Sequence, residues 1–178
     1  MRYFIIIAAL IFSACATSQP KQTPQITQTI NEDDLKLVLI KSKNIRFYDF
    51  GVLNVESSDE NTLKIELKVF KLGKYLGSFI ITKSEVCYSD LENRNDCAPK
   101  WPANKSFFGK VSYDAMFEDI LLKRDIFDGK GKRLEADSTI IQEFEYGGEK
   151  IYYERKNSRI YFKNFTNGVI VSIEDYKK

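Results

Sequence analysis

The chain has 178 residues, 43% of them hydrophobic, which suffices to bury one ordinary core and excludes both a disordered chain and a polytopic membrane protein. Lysine and arginine number 27 against 25 acidic residues, a net charge of +2 with the signs interspersed, so no field argues for a nucleic-acid partner. Histidine is absent, which removes the commonest general base, the Ser–His and Cys–His nucleophile pairs, and imidazole metal ligation.

Met1-Arg2 is a short basic start, and the apolar run from Tyr3 to Phe12 is too short to span a bilayer, the layout of a secretory signal. Phe12-Ser13-Ala14-Cys15 follows, and it resembles the bacterial lipobox, in which small residues precede a cysteine that is lipidated on its sulfur and becomes the mature N-terminus. Phe12 stands where leucine is usual. The competing reading is an ordinary cleavage site near an unrelated cysteine. Residues 1–14 are therefore expected to be a signal and Cys15 a lipid anchor. A buried acyl CH₂ contributes about 0.8 kcal/mol, and stable anchoring takes more than one chain, a condition that multiple acylation of one cysteine meets. From Ala16 to Asn31 the chain is Gln, Thr, Ser and Pro with almost no apolar content, so residues 15–32 are expected to be a tether and residues 33–178 one domain.

In the run from Leu35 to Ile40, Leu35, Leu37 and Leu39 alternate with Lys36, Val38 and Ile40. It is read as a strand in preference to a short helix because β-branched residues lie within it. Three β-type runs then succeed one another between Ile45 and Tyr88. In the middle one Leu63, Ile65, Leu67 and Val69 face one way and Lys64, Glu66 and Lys68 the other. The joins are polar or carry glycine, so an antiparallel meander is expected. Leu72 sits at the apex of the Lys71-Leu72-Gly73-Lys74 hairpin. Lys71 and Lys74 supply charges that an anionic lipid surface attracts by up to about 1 kcal/mol each; the plainer reading is one exposed leucine.

Between Ser89 and Ser106 the pattern breaks, and Asn93, Asn95, Pro99, Pro102 and Asn104 mark a long irregular excursion, with Trp101 packing it onto the domain. Cys87 and Cys97 are expected to form a disulfide that ties it down, since an exported domain meets an oxidising compartment; free thiols are the alternative, and a metal site lacks histidine and CxxC spacing. A helix is expected over Ser112–Leu122, capped by Ser112, because Tyr113, Met116, Phe117, Ile120 and Leu121 recur at helical spacing. Its stripe would cover the meander's apolar face, either as plain core or as a lid. Asp128 to Arg133 reads as a solvated basic turn. Thr139–Tyr146, Lys150–Arg155, Arg159–Phe165 and Val169–Tyr176 form a second meander separated by Gly-Gly, Lys-Asn-Ser and Thr-Asn-Gly turns.

No catalytic constellation emerges. Glu118 with Asp119 and Glu174 with Asp175 are adjacent residues, which diverge on a helix or strand. No GxSxG or SxxK pattern is present, so no enzyme activity, cofactor or metal is expected.

A lipidated cysteine, a polar tether, a strand meander, one helix and a closing meander together resemble the LolA/LolB half-barrel superfamily, in particular the LolB-like lipoproteins. Phe50 to Val55 with Leu63 to Leu67 look like that family's second and third strands, Lys71-Leu72-Gly73-Lys74 like its projecting Leu-Gly hairpin, and Ile160–Phe165 with Val169–Ile173 like its last pair. The usual proline before Leu-Gly is absent, and the Cys87 to Cys97 loop is an addition. The resemblance implies a mainly β, α+β fold, a curved antiparallel sheet or half-barrel of two meanders with one amphipathic helix on its concave face. It also implies a monomeric lipoprotein on the periplasmic face of the outer membrane that receives acyl chains of other lipoproteins from a periplasmic carrier and inserts them. Leu63, Ile65, Leu67, Met116, Phe117 and Leu121 would line the acyl cavity, and Leu72 with Lys71 and Lys74 would meet the membrane. The alternative is an accessory lipoprotein supporting an outer-membrane assembly, with its core filled. Cys15→Ala should leave an unprocessed or soluble chain; membrane association with acyl labelling of that variant would refute the anchor.

Overall fold

A computed structural model describes residues 34–57, 63–92 and 94–177. The expected signal, Cys15, the tether and the domain's start at residue 33 lie outside the described residues. The described residues are mainly β, with eleven strands in one open antiparallel sheet and little helix. A first meander comprises β1 (Leu35–Lys41), β2 (Arg46–Ser57), β3 (Leu63–Lys71), β4 (Lys74–Ile81), β5 (Glu85–Asp90) and β6 (Asn95–Pro99). Helices α1 (Lys100–Phe108) and α2 (Met116–Leu121) follow. The second meander is β7 (Lys132–Leu134), β8 (Ile140–Tyr146), β9 (Glu149–Lys156), β10 (Arg159–Asn164) and β11 (Ile170–Asp175). Pairing of β1 with β11 joins the two into the order β6-β5-β4-β3-β2-β1-β11-β10-β9-β8-β7.

The central strand explains its own sequence. Val38 and Ile40 are fully buried on one face, opposite Ile173 and Val171 of β11, while Leu35, Leu37 and Leu39 are half-buried on the other. A strand paired on both sides with apolar neighbours on both faces reads as a nearly continuous apolar run. Gly51 of β2 permits this packing, since a Cβ there would lie 2.7 Å from Val38 Cγ2. The face that carries Val38 and Ile40 continues through Ile65, Leu67, Val69 and Ile81 on one side and Phe162 and Tyr153 on the other. Phe108 of α1 and Met116, Phe117, Ile120 and Leu121 of α2 belong to the same buried cluster.

Three expectations are corrected. Residues 89–106 are not irregular: Cys87 opposes Cys97 in a β5–β6 hairpin, whose turn is built on Asp90, with Oδ1 accepting the Glu92 and Arg94 N–H groups. Pro99 ends that hairpin and Pro102 falls in the first turn of α1, where a missing N–H costs nothing. Trp101 does not pack the segment down; it is 48% exposed on α1, with the Lys105 ammonium 5.4 Å from its ring. The second helix starts at Met116 instead of Ser112, whose hydroxyl donates to the Gly109 carbonyl. Asn104, 1% exposed, does the capping from α1: its Oδ1 accepts the Phe117 N–H at 3.3 Å and its Nδ2 donates to the Asp114 carbonyl at 2.7 Å. The expected helix is thus reduced to α2, and α1 stands in the stretch read as irregular.

Phe108 is the hinge of this packing, with ring centroids 4.8 Å from Phe107, 5.1 Å from Phe117 and 5.4 Å from Phe162. Phe108→Ala should cost about 3–5 kcal/mol in denaturant unfolding, the range for a buried aromatic. Trp101→Ala should cost under about 1 kcal/mol, as for a surface position.

Candidate functional site

The β3–β4 hairpin closes with two residues between Lys71 and Lys74, and both have positive φ, Leu72 at 50° and Gly73 at 77°. That is the primed turn a tight hairpin requires, normally filled by Asn-Gly. Glycine suits it; leucine does not, because a Cβ in the left-handed region costs roughly 1–2 kcal/mol. Leu72 is also 87% exposed, so its side chain is repaid by no packing. The conformation is held from below. The Leu72 N–H donates to Asp49 Oδ2 at 3.3 Å, Asp49 Oδ1 accepts the Phe50 N–H, and buried Phe70 meets the Tyr75 ring edge-on at 5.7 Å. Lys71 and Lys74 are exposed on either side and make no ion pair among the described residues.

Of the residues expected to line an acyl cavity, Ile65, Leu67 and Met116 are fully buried, Leu121 is 3% exposed and Phe117 6%, all in one packed cluster. Leu63 begins β3 opposite Ser57, and its side chain lies outside what is described. The structure does hold a cavity of about 280 Å³, but other residues line it: Leu53, Ile160 and Ile173 form an apolar floor, and Lys36, Lys123 and Asp175 a charged mouth. Lys36 Nζ sits 2.7 Å from Asp175 Oδ1. Lys123 Nζ donates to the Lys156 carbonyl at 3.0 Å and to that of Asn157. Its ammonium is held below the usual lysine range by partial burial, opposed by Asp175 and aided by Lys36. No local motif announces this site, because Lys36 and Asp175 stand 139 positions apart and meet only through β1–β11 pairing. The alternation of Lys36 with Val38 and Ile40 was the single legible clue that a lysine shares the buried face.

The acidic neighbours Glu118 and Asp119 have different hydrogen-bond partners but share the Arg124 guanidinium, whose Nη1 lies 2.8 Å from Glu118 and 3.7 Å from Asp119. Glu118 is bound by Lys100 at 2.7 Å and Arg124 at 2.8 Å, whereas Asp119 accepts the Tyr113 hydroxyl at 2.8 Å. Burial raises the Asp119 carboxyl above its usual range, and burial with that hydrogen bond raises the Tyr113 phenol. Asp175 faces Lys36, while Glu174 is exposed. Cys87 and Cys97 are joined by a disulfide, S–S 2.07 Å. Glu85 lies beside them, the one group of three clustered metal-type ligands among the described residues, but both sulfurs are occupied by each other. Among the described residues no helix is long and apolar enough to cross a membrane.

Replacing Leu72 by the residue its backbone prefers separates stability from role. Leu72→Asn should raise unfolding stability by about 1 kcal/mol, read as a higher denaturant midpoint at unchanged slope, since it relieves a left-handed leucine and exposes less apolar surface. A fall in stability would show that the leucine is held by contacts of its own. No protein-family model matches the chain, and no curated protein sequence matches it.

Proposed function

We propose that the chain is a lipid-anchored outer-membrane lipoprotein of the LolB-like kind, which takes up acyl chains of other lipoproteins and delivers them into the bilayer. The observation that carries the reading is Leu72: an apolar side chain that is both strained and exposed, which folding alone gives no reason to keep. Strain held at a defined point is a mark of function when the surrounding structure over-determines it, as Asp49 and Phe70 do here. Insertion into acyl chains would bury the side chain, worth about 1.5–3 kcal/mol, while Lys71 and Lys74 meet the headgroups.

The finer architecture belongs to this proposal: a half-barrel with α1 and α2 across its concave face. Its support is the stagger of the strands. The register Asp90, Gly77, Val69, Gly51, Lys36 runs from the end of β5 to the start of β1. Such shear accompanies the tilt of strands in a closing sheet. The Tyr153 hydroxyl, donating to the carbonyls of Asp119 and Ile120, ties α2 to the sheet. The cavity floored by Leu53, Ile160 and Ile173 lies near the lower bound of about 300 Å³ for small-molecule pockets, so it fits part of one chain unless α2 shifts.

The accessory-lipoprotein reading is favoured by a different observation, the filled packing of Ile65, Leu67, Met116, Phe117 and Leu121. Liposome transfer of a fluorescent acylated substrate separates the two, using the chain from Ala16 onward, which retains every described strand and helix. Leu72→Glu should slow transfer at least tenfold at unchanged fold. Equal transfer by both proteins would retire the role of Leu72, and no transfer by either would leave the accessory reading.

A further inference from the structure

The turns at one end of the sheet combine exposed apolar tips with cations that have no ion pair among the described residues. β1, β3, β5, β8 and β10 all run toward this end, so the turns 42–45, 72–73, 147–148 and 165–169, and the turn that Leu91 begins, lie together along one rim. Four of the exposed large apolar side chains stand in or beside them: Leu72, Leu91 at 62%, Phe165 at 49% and Tyr146 at 45%. Lys41, Lys43, Arg46, Lys71, Lys74 and Lys163 flank the same turns, and none of them forms an ion pair among the described residues. Of the acids nearby, Asp49 holds the Leu72 N–H, and Asp90 and Glu92 pair with Arg94, while Asp96 and Glu145 are exposed and make no ion pair among the described residues, so cations still outnumber free acids on the rim. At the opposite end charges meet in pairs, Lys36 with Asp175 and Lys156 with Asp137.

We propose that the whole rim, and not the Leu72 hairpin alone, docks on an anionic bilayer. Phe165 is its second insertion point, and Lys43 and Arg46 bind headgroup phosphates between the two. The inference rests on the reading of Leu72 as membrane-facing and extends it across the sheet. Phe165 occupies the turn after β10 with the Lys163 ammonium 4.3 Å from its ring centroid and that of Lys150 at 5.7 Å. An apolar ring under an ammonium suits the boundary between acyl chains and headgroups, where the ring enters and the cation stays in water. Each cation close to an anionic leaflet adds about fivefold in affinity. A nucleic acid would meet the same cations but gives Leu72 and Leu91 nothing to enter.

The anchor permits the geometry. The chain enters β1 at the opposite end, and the seven residues of β1 carry it about 23 Å toward the rim at 3.3 Å each. Residues 16–33, between Cys15 and the described domain, can span up to about 60 Å. A lipid on Cys15 and the rim can therefore engage one membrane.

The test uses the chain from Ala16 onward, co-sedimented with vesicles of phosphatidylcholine alone or mixed with phosphatidylglycerol. The native sequence should bind the anionic vesicles, more weakly as salt rises. The double variant Lys43→Ala, Arg46→Ala should bind about 25-fold more weakly, and Phe165→Ser about tenfold. Circular dichroism melts check that both fold. In a Trp101→Phe background, Phe165→Trp should be quenched by brominated acyl chains, a readout that does not depend on the other variants. If Leu72→Glu abolishes binding while the Lys43, Arg46 and Phe165 variants bind normally and the introduced indole is not quenched, the rim inference falls and the Leu72 reading stands. Binding that ignores vesicle charge also overturns it. Failure of the native sequence to bind either vesicle overturns both.

Discussion

The pairing of β1 with β11 is the interaction on which the rest depends. It joins the two ends of the described chain at the centre of the sheet, so neither meander has an exposed inner edge. The ion pair of Lys36 with Asp175 marks the register, but at 23% and 37% side-chain exposure it contributes at most about 1 kcal/mol. Val38 and Ile40 against Ile173 and Val171 hold the seam, because those four side chains are essentially removed from water. Contacts so distant in sequence impose a loop-closure cost during folding. In return, one register places the cavity mouth at one end of the seam and the β1–β2 turn of the rim at the other.

The segment between the helices and β8 is held by buried polar groups. Gln142, fully buried, accepts the Ile126 N–H at 3.0 Å and donates to the Ile126 carbonyl at 2.7 Å. Arg155 donates to the Lys123 carbonyl and pairs with Asp125, whose carboxyl lies below its usual range through hydrogen bonds from Lys132 and Arg155. These contacts fix a stretch in which Lys123, Phe127 and Asp128 all have positive φ. Withdrawing α2 from the core to enlarge the cavity would break Asn104's cap and the Tyr153 bonds, and each polar group left buried without a partner costs about 1–3 kcal/mol. Any uptake of an acyl chain must compensate for that.

Leu72 and the rim show local stability given up at a surface. A leucine forced into the left-handed region and into water is unfavourable on both counts, and asparagine at the same position would meet the turn's positive φ at less cost. The apolar tips and uncompensated lysines gather on the rim, where Ile45 and Val169 turn inward to the core while Leu72, Leu91 and Phe165 stay in water. On the proposed membrane docking, one boundary would satisfy both parts of each pair.

Periodicity in the sequence determined the elements wherever one face of a segment is buried. The alternation from Leu63 to Val69, the Asn-Gly and Gly-Gly turns and the apolar run of β1 each name a strand, because side chains on neighbouring positions face opposite environments. The hairpin apex at Leu72 was legible for the same reason. The tertiary structure alone decided what covers what. Asn104 looks like a loop marker until the fold brings it to the start of α2, and Pro102 like a breaker until α1 places it in its first turn. Trp101 lies outside and Phe108 inside although both are aromatic residues of one short helix. The cavity owes its floor to three strands and its mouth to Lys36, Lys123 and Asp175, which lie far apart in sequence. Those choices rest on which distant side chains fill the same volume, a quantity no local pattern carries.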